Sequence, residues 1–127
     1  MAGRSYKLEN LETSKLWKQA IKLAEHVKQF AEVLPHHENF NLADPLYRTA
    51  TLVTSDIAMA LGRGGKEAAF DYRYARGHLF TVKSLVLMAQ HYEYVAEVRH
   101  ILNEANGLLN MVDAKIVELE DSKAKED

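Results

Sequence analysis

The middle of the chain carries the residue types that bind phosphate. Six basic residues lie between positions 48 and 83, against three acidic ones. The six are Arg48, Arg63, Lys66, Arg73, Arg76 and Lys83. Lysine and arginine neutralise phosphate groups whatever the base sequence. We therefore predict a weak nucleic-acid-binding surface, for RNA or DNA, formed by Arg63, Lys66, Arg73 and Arg76.

Glycines interrupt this basic segment just before a predicted helix. Gly62, Gly64 and Gly65 surround Arg63 and precede Lys66. Backbone amides at the start of a helix attract anions, so the segment is similar to a phosphate cradle. The alternative is a tight turn with a basic flank, in which the glycines supply positive φ angles.

Metal chemistry has one candidate motif. Glu97 and His100 form a Glu-x-x-His turn, the unit with which helical bundles hold metal ions. The chain has no second such turn, and its apolar helix faces lack the carboxylates that a buried site requires. His78 and His91 are thirteen residues apart, which places them on different faces of a helix. We predict no metal site and no cofactor, and we keep a metal-dependent, ferritin-like enzyme only as a remote alternative.

Nucleophilic catalysis has no clear motif either. The chain has no cysteine, no Gly-x-Ser-x-Gly elbow and no P-loop. Ser55 and Asp56 are adjacent, but the sequence places no histidine beside them. We therefore predict a non-enzymatic protein with no catalytic residues and no small-molecule substrate.

The elements that must position these residues are all helical. Apolar residues recur at spacings of three and four in four segments, which is typical of helices with one buried face. The predicted helices span about residues 14–34, 45–61, 66–92 and 95–120, followed by a charged tail at 121–127. Short connections make neighbouring helices antiparallel. We predict one domain over residues 1–127, an all-α, up-down-up-down four-helix bundle.

Individual residues indicate where these helices begin. Thr13 or Ser14 is a suitable N-cap for the first helix. Asp44 is the predicted N-cap of the second, because Pro45 after it suits the first helical position.

The third helix has apolar residues on more than one face. Phe70 and Tyr74 lie off the stripe that the core of one bundle needs. We predict that both side chains form an oligomer interface and that the chain assembles into a homo-oligomeric ring.

The fourth helix has the most regular apolar stripe, and Leu102 is one of its members. The stripe is Val95, Val98, Leu102, Ala105, Leu109, Val112, Ile116 and Leu119. Because it is typical of a bundle seam, we expect Leu102→Ala to cost roughly 2 to 5 kcal/mol.

Composition restricts the function classes further. The net charge is −2, and only the middle of the chain is basic, so any nucleic-acid surface must be local. No apolar run approaches the length of a membrane span, and the absence of cysteine agrees with a reducing compartment. We expect a cytoplasmic protein without a membrane partner.

Several short strings together resemble a known family. They are Leu16-Trp17-Lys18-Gln19-Ala20, Leu34-Pro35, Lys66-Glu67 and Ala75-Arg76-Gly77. In these strings, between about Leu16 and Met111, the chain resembles the four-helix-bundle proteins encoded by intervening sequences in bacterial large-subunit ribosomal RNA genes. Those proteins are relatives of the accessory proteins of diversity-generating retroelements.

The resemblance implies a cytosolic homopentamer of four-helix bundles with no known catalytic activity. In the retroelement relatives, a strongly basic pentamer engages nucleic acid and a reverse transcriptase. This chain departs from the family pattern with Tyr47 in place of a basic residue and Asp56 in place of asparagine. The first change removes a positive charge and the second adds a negative one. The nucleic-acid role of the retroelement relatives therefore transfers poorly to this chain.

Two interpretations remain, and the pairing of charges distinguishes them. In the first, the chain is a self-assembling interaction module that binds RNA weakly, ribosomal RNA being one candidate. In the second, it is a protein–protein scaffold without nucleic-acid binding. If Arg48, Arg73 and Arg76 pair with Asp56, Glu67 and Asp71, the basic field vanishes and the scaffold is favoured.

Overall fold

Four α-helices account for most of the protein in the computed structural model, which describes the backbone of residues 10–126 and the side chains of residues 10–121. They are α1 (Lys15–Glu32), α2 (Asp44–Arg63), α3 (Gly65–His91) and α4 (Arg99–Glu126). No strand occurs in this part of the chain, which confirms the all-α prediction. The predicted tail belongs to α4 as far as Glu126, and the predicted domain ends, residues 1–9 and 127, lie outside the described residues.

The start of α1 follows from one side-chain hydrogen bond. Ser14 is the N-cap, and its buried Oγ accepts a hydrogen bond from the Trp17 amide at 3.1 Å. This bond satisfies one of the amides that a helix start leaves without a partner. The helix ends at Glu32, shortly before Pro35 and within two residues of the predicted end at about residue 34.

The entry to α2 differs from the prediction. A short 3-10 helix at His36–Glu38 leads into a π-helical turn at Asn39–Ala43, and α2 continues directly from it. Asp44 therefore has helical angles, with φ −63° and ψ −48°, and is not the N-cap. Pro45 is tolerated there because its missing amide is not needed in the first turn.

Glycine makes the reversal between α2 and α3. Gly64 is the only residue between the two helices, and Gly64 and Gly65 have φ angles of 69° and 60°. L-residues with a Cβ rarely adopt these angles, so the predicted positive-φ role of the glycines is confirmed. The connection is one residue long, which brings the end of α2 directly against the start of α3.

The fourth helix begins later than predicted. Val95 and Val98 precede it, and α4 starts at Arg99. The reason is a local cap: the Glu97 carboxylate accepts a hydrogen bond from the Arg99 amide at 2.6 Å. Just before this, Glu93 adopts a φ of 64°, which turns the chain after α3.

One hydrophobic core contains buried side chains from all four helices. From α4 it takes Ile101 and Leu108, which the predicted stripe omitted. Leu102, a member of that stripe, is only partly buried at the edge of the core, whereas Leu108 is 0% exposed. None of the described helices combines the length and the apolar character needed to cross a bilayer.

The orientation of α4 in the core determines which leucine-to-alanine substitution should destabilise the protein most. Leu108→Ala should lower the free energy of unfolding by roughly 2 to 5 kcal/mol, because it leaves a cavity in a fully packed site. Leu102→Ala is the matched control and should cost clearly less, since its site is open on one side. Urea unfolding followed by circular dichroism measures both. Equal costs, or a larger one at Leu102, would show that α4 is rotated from the orientation described.

Candidate functional site

The predicted basic surface begins with Arg63 at the end of α2. Its Nε donates to Glu67 Oε2 at 3.2 Å, and its Nη1 donates to Asp71 Oδ1 at 3.4 Å. Glu67 is exposed, but Asp71 is only 4% exposed and its Oδ2 has no hydrogen-bond partner among the described residues. The short turn at Gly64 makes this contact possible, because it brings Arg63 beside the first two turns of α3.

Two further arginines of the predicted surface lie on α3 and pair with α4. Arg76 Nε donates to Asp113 Oδ1 at 2.9 Å, and the Arg73 guanidinium pairs with Glu120. All four side chains are about half exposed, so each pair is an ion pair at the protein surface. Such pairs typically contribute about 0 to 1 kcal/mol, because water and salt screen them.

The charges of the predicted surface are therefore compensated. Three of its four basic residues, Arg63, Arg73 and Arg76, form ion pairs with four carboxylates, which are Glu67, Asp71, Asp113 and Glu120. Lys66 is exposed and has no ion pair within residues 10–121.

The partners of these arginines differ from those anticipated. Glu67 and Asp71 pair with Arg63, while Arg73 and Arg76 use carboxylates of α4. The spacing of four between Arg63 and Glu67 is a readable helix-surface signal. The α3–α4 pairs depend on how two helices pack, which residue spacing does not give.

An apolar strip covers the outer side of α3. Its members, here called the α3 outer face, are Phe70, Tyr74, Phe80, Leu87 and Met88, which are 60%, 66%, 47%, 44% and 39% exposed. Scattered exposed apolar residues are normal, but a series along one helix marks an interaction site. Tyr72, which stands between Phe70 and Tyr74 in the sequence, is buried in the core instead.

The α3 outer face carries cations at its edge. Arg73 lies 6.0 Å from the ring centre of Phe70, and Arg76 and Lys83 lie 5.0 and 5.1 Å from that of Phe80. Distances of this order allow a cation–π attraction. The arginines are therefore held by a carboxylate on one side and an aromatic ring on the other.

A histidine that the sequence did not indicate approaches Asp56. His78 Nδ1 and Asp56 Oδ2 are 2.6 Å apart, which joins α2 to α3. Burial raises the pKa of the Asp56 carboxyl above its ordinary 3.8, while the hydrogen bond and charge of His78 oppose this and the charge of Asp71 adds to it. Ser55 next to it is exposed, so this pair does not form a buried Ser-His-Asp arrangement.

Glu97 and His100, the candidate Glu-x-x-His motif, do not point to a common site. Glu97 precedes α4 and binds the Arg99 amide. His100 instead lies beside His26 of α1 and Glu104 of α4, and ligand atoms of these three residues are within 4.8 Å of one another. His100 and Glu104 are four residues apart and so share a helix face, a signal in the sequence that we did not use. Nothing in the sequence placed His26 with them.

Most of the chain matches a known protein family. Residues 12–114 match the family model described as 23S rRNA-intervening sequence protein. The matched range covers all of α1, α2 and α3 and the first half of α4. A comparison with curated proteins finds no match.

The Asp56 environment predicts a pH dependence of stability. Because the folded pKa of Asp56 is raised, its contribution to stability is fully present below pH 3.8 and is lost as the pH rises through the folded value. Asp56→Asn removes this titration. The stability difference, wild type minus variant, should therefore fall as the pH rises from below 3.8 through the folded pKa of Asp56. Urea unfolding at several pH values measures it, and a difference that grows with pH would contradict the effect of burial.

Proposed function

The chain belongs to the 23S rRNA-intervening sequence protein family, and on that premise we propose that it is a non-enzymatic protein that assembles with itself. The observation that carries this proposal is the α3 outer face, with five apolar side chains exposed along one helix. Water contact with such a strip is unfavourable, and burial against another copy removes it. The protomer in this proposal is an antiparallel, up-down-up-down bundle, and its location is the cytoplasm.

A closed ring of five, as the family resemblance implies, needs two different surfaces on each copy. The α3 outer face is one. For the second we propose the exposed side of α2, where Leu52 and Met59 are 40% and 48% exposed. These two residues are seven positions apart, so they share a helix face. Each copy then buries its α3 outer face against α2 of the next.

In this proposal the protein is not an enzyme, because its polar side chains serve contacts between helices. Within residues 10–121, the ion pairs of His78 with Asp56, and of Arg73 and Arg76 with α4, link one helix to another. A catalytic pair needs a nucleophile within hydrogen-bond reach of its base. The described hydrogen bonds of His26 and His78 go to the carboxylates of Glu104 and Asp56, which agrees with a structural use of these two histidines.

Weak RNA binding is the second candidate, and one observation favours it. Lys66 is exposed beside Gly64 and Gly65 at the start of α3, a helix of 27 residues whose first amides attract anions. The ion pairs of Arg73 and Arg76 are exposed, so phosphates can compete for these arginines. Against it stand the four compensating carboxylates, and for this reason we rank the scaffold function above RNA binding.

Assembly should depend on the α3 outer face and not on exposed aromatic residues in general. Phe70→Glu should convert the assembled protein to monomer at micromolar concentration, because it places a charge in the contact. The matched control is Phe40→Glu, which makes the same change at a side chain that is 86% exposed and lies outside α3. Sedimentation velocity measures the mass of each. A monomeric wild type, or equal dissociation of both variants, would contradict the proposal.

A ring with two different contact surfaces can be recognised from the behaviour of two variants, measured separately and mixed. Phe70→Glu and Met59→Glu each destroy one surface and leave the other intact. A mixture of the two variants should therefore form a heterodimer, since one native contact remains possible between them. Light scattering of the separate and mixed variants distinguishes this from a self-complementary contact through the α3 outer face alone, for which Met59→Glu assembles by itself and Phe70→Glu stays monomeric in the mixture.

RNA binding should be steeply salt-dependent and should require the turn between α2 and α3. Changing Arg63 and Lys66 together to Glu should abolish it, because these residues supply the local positive charge. The control changes Lys18 and Lys22 of α1 to Glu, an identical change in net charge at exposed positions. Affinity for a single-stranded RNA at two salt concentrations is the measurement. No binding at low salt, or equal losses in both variants, leaves the scaffold function alone.

A further inference from the structure

A polar cluster on the side of the bundle formed by α1 and α4 has no part in the proposed assembly. It consists of His26, His100 and Glu104. His26 Nδ1 lies 2.8 Å from each carboxylate oxygen of Glu104, and the ring centres of His26 and His100 are 5.4 Å apart. Two imidazoles and one carboxylate therefore converge from two helices, although His26 and Glu104 are 78 residues apart in the sequence.

The backbone positions of these residues are fixed by core packing. His26 precedes Val27, which is 0% exposed, and Glu104 precedes Ala105, which is also 0% exposed. The two helices therefore cannot separate at this level without opening the core. A site whose ligands stand on packed helices is preorganised for an ion.

Burial of the carboxylate gives the cluster an electrostatic requirement. The Glu104 side chain is only 11% exposed, and a carboxylate removed from water needs a cation or strong donors nearby. The side-chain donor described for both of its oxygens is the single Nδ1 of His26. A bound cation would supply this charge to both oxygens at once.

The donor set selects a class of ion. Imidazole nitrogens suit Zn²⁺, Cu²⁺, Ni²⁺ and iron, whereas Mg²⁺ and Ca²⁺ prefer oxygen ligands alone. Two histidines and one glutamate are a known zinc-ligand combination, with water in the remaining position. Donor atoms around Zn²⁺ are about 3.4 Å apart for bonds of about 2.1 Å. The cluster spans separations from 2.8 to 4.8 Å, so small side-chain rotations would produce this geometry.

From these observations we propose that His26, His100 and Glu104 bind a divalent transition-metal ion of the zinc type, which fastens α1 to α4. The ion takes one nitrogen from each histidine and carboxylate oxygen from Glu104. His100 is exposed and His26 is one-third exposed, so the ion reaches the site from solvent. Because the site lies on α1 and α4, it is independent of the α3 outer face and of the assembly proposal.

Binding is tested with the full, untagged chain after treatment with a chelator. Zn²⁺ titrated by calorimetry should bind with one ion per chain, and the thermal midpoint should rise with Zn²⁺ concentration, because the ion binds the folded state. Mg²⁺ should do neither. Co²⁺ should give the visible absorption of a four-coordinate ion, which reports the geometry directly.

Variants assign the ligands. Glu104→Gln and His100→Ala should each weaken Zn²⁺ binding by at least about tenfold, since the loss of an outer-shell partner alone costs that much. His100 is exposed, so its replacement leaves the fold intact and circular dichroism checks this. The control changes His36 and His37, two adjacent histidines between α1 and α2, to alanine.

Two results would overturn the assignment. If the variant of His36 and His37 lost Zn²⁺ binding while His100→Ala retained it, the ion would belong to that loop. If Zn²⁺ bound no more tightly than Mg²⁺ to the wild type, the cluster would be a structural hydrogen bond only. Equal affinity of the wild type and Glu104→Gln also contradicts the proposal, because the carboxylate would then not be a ligand.

Discussion

The structure depends on the fact that a helix in a four-helix core can bury only one of its faces. On α3 the inner face is made of Ala75, Leu79, Val82 and Val86, each 0% exposed. These residues leave no room in the core for Phe70 or Tyr74, which lie on the opposite side. The α3 outer face is therefore a consequence of filling the core, and its apolar character is the observation on which the proposal of self-assembly rests.

Ion pairs between the helices determine the charge of the surface around α3. The pairs Arg73–Glu120 and Arg76–Asp113 join α3 to α4 beside the α3 outer face, and Arg63 joins the end of α2 to the start of α3. Arg73 and Arg76, two of the six basic residues in the middle of the chain, are thus paired with carboxylates of α4. What remains outward on α3 is apolar surface with a compensated border, which suits a protein contact better than a polyanion.

The sequence predicted the helices well because their signals are local. Ser14, Gly64 and the apolar spacings act within a few residues, and the structure agrees with them. Two boundaries were wrong where a neighbouring turn intervened: Asn39–Ala43 before α2, and the Glu97 carboxylate before α4. The contacts of the candidate site were not predicted. The contacts of His78 with Asp56 and of His26 with Glu104 depend on which residues face each other across packed helices. A single sequence contains no record of that register.

The most direct test of self-assembly through the α3 outer face is native mass spectrometry of the unmodified protein across its accessible concentration range. Each chain has a mass of 14.4 kDa, so oligomers are separated without ambiguity. The account predicts one dominant closed species of five chains, with monomer appearing only on dilution. A monomer at every concentration would contradict it, since the α3 outer face would then remain in water with no contact to explain it.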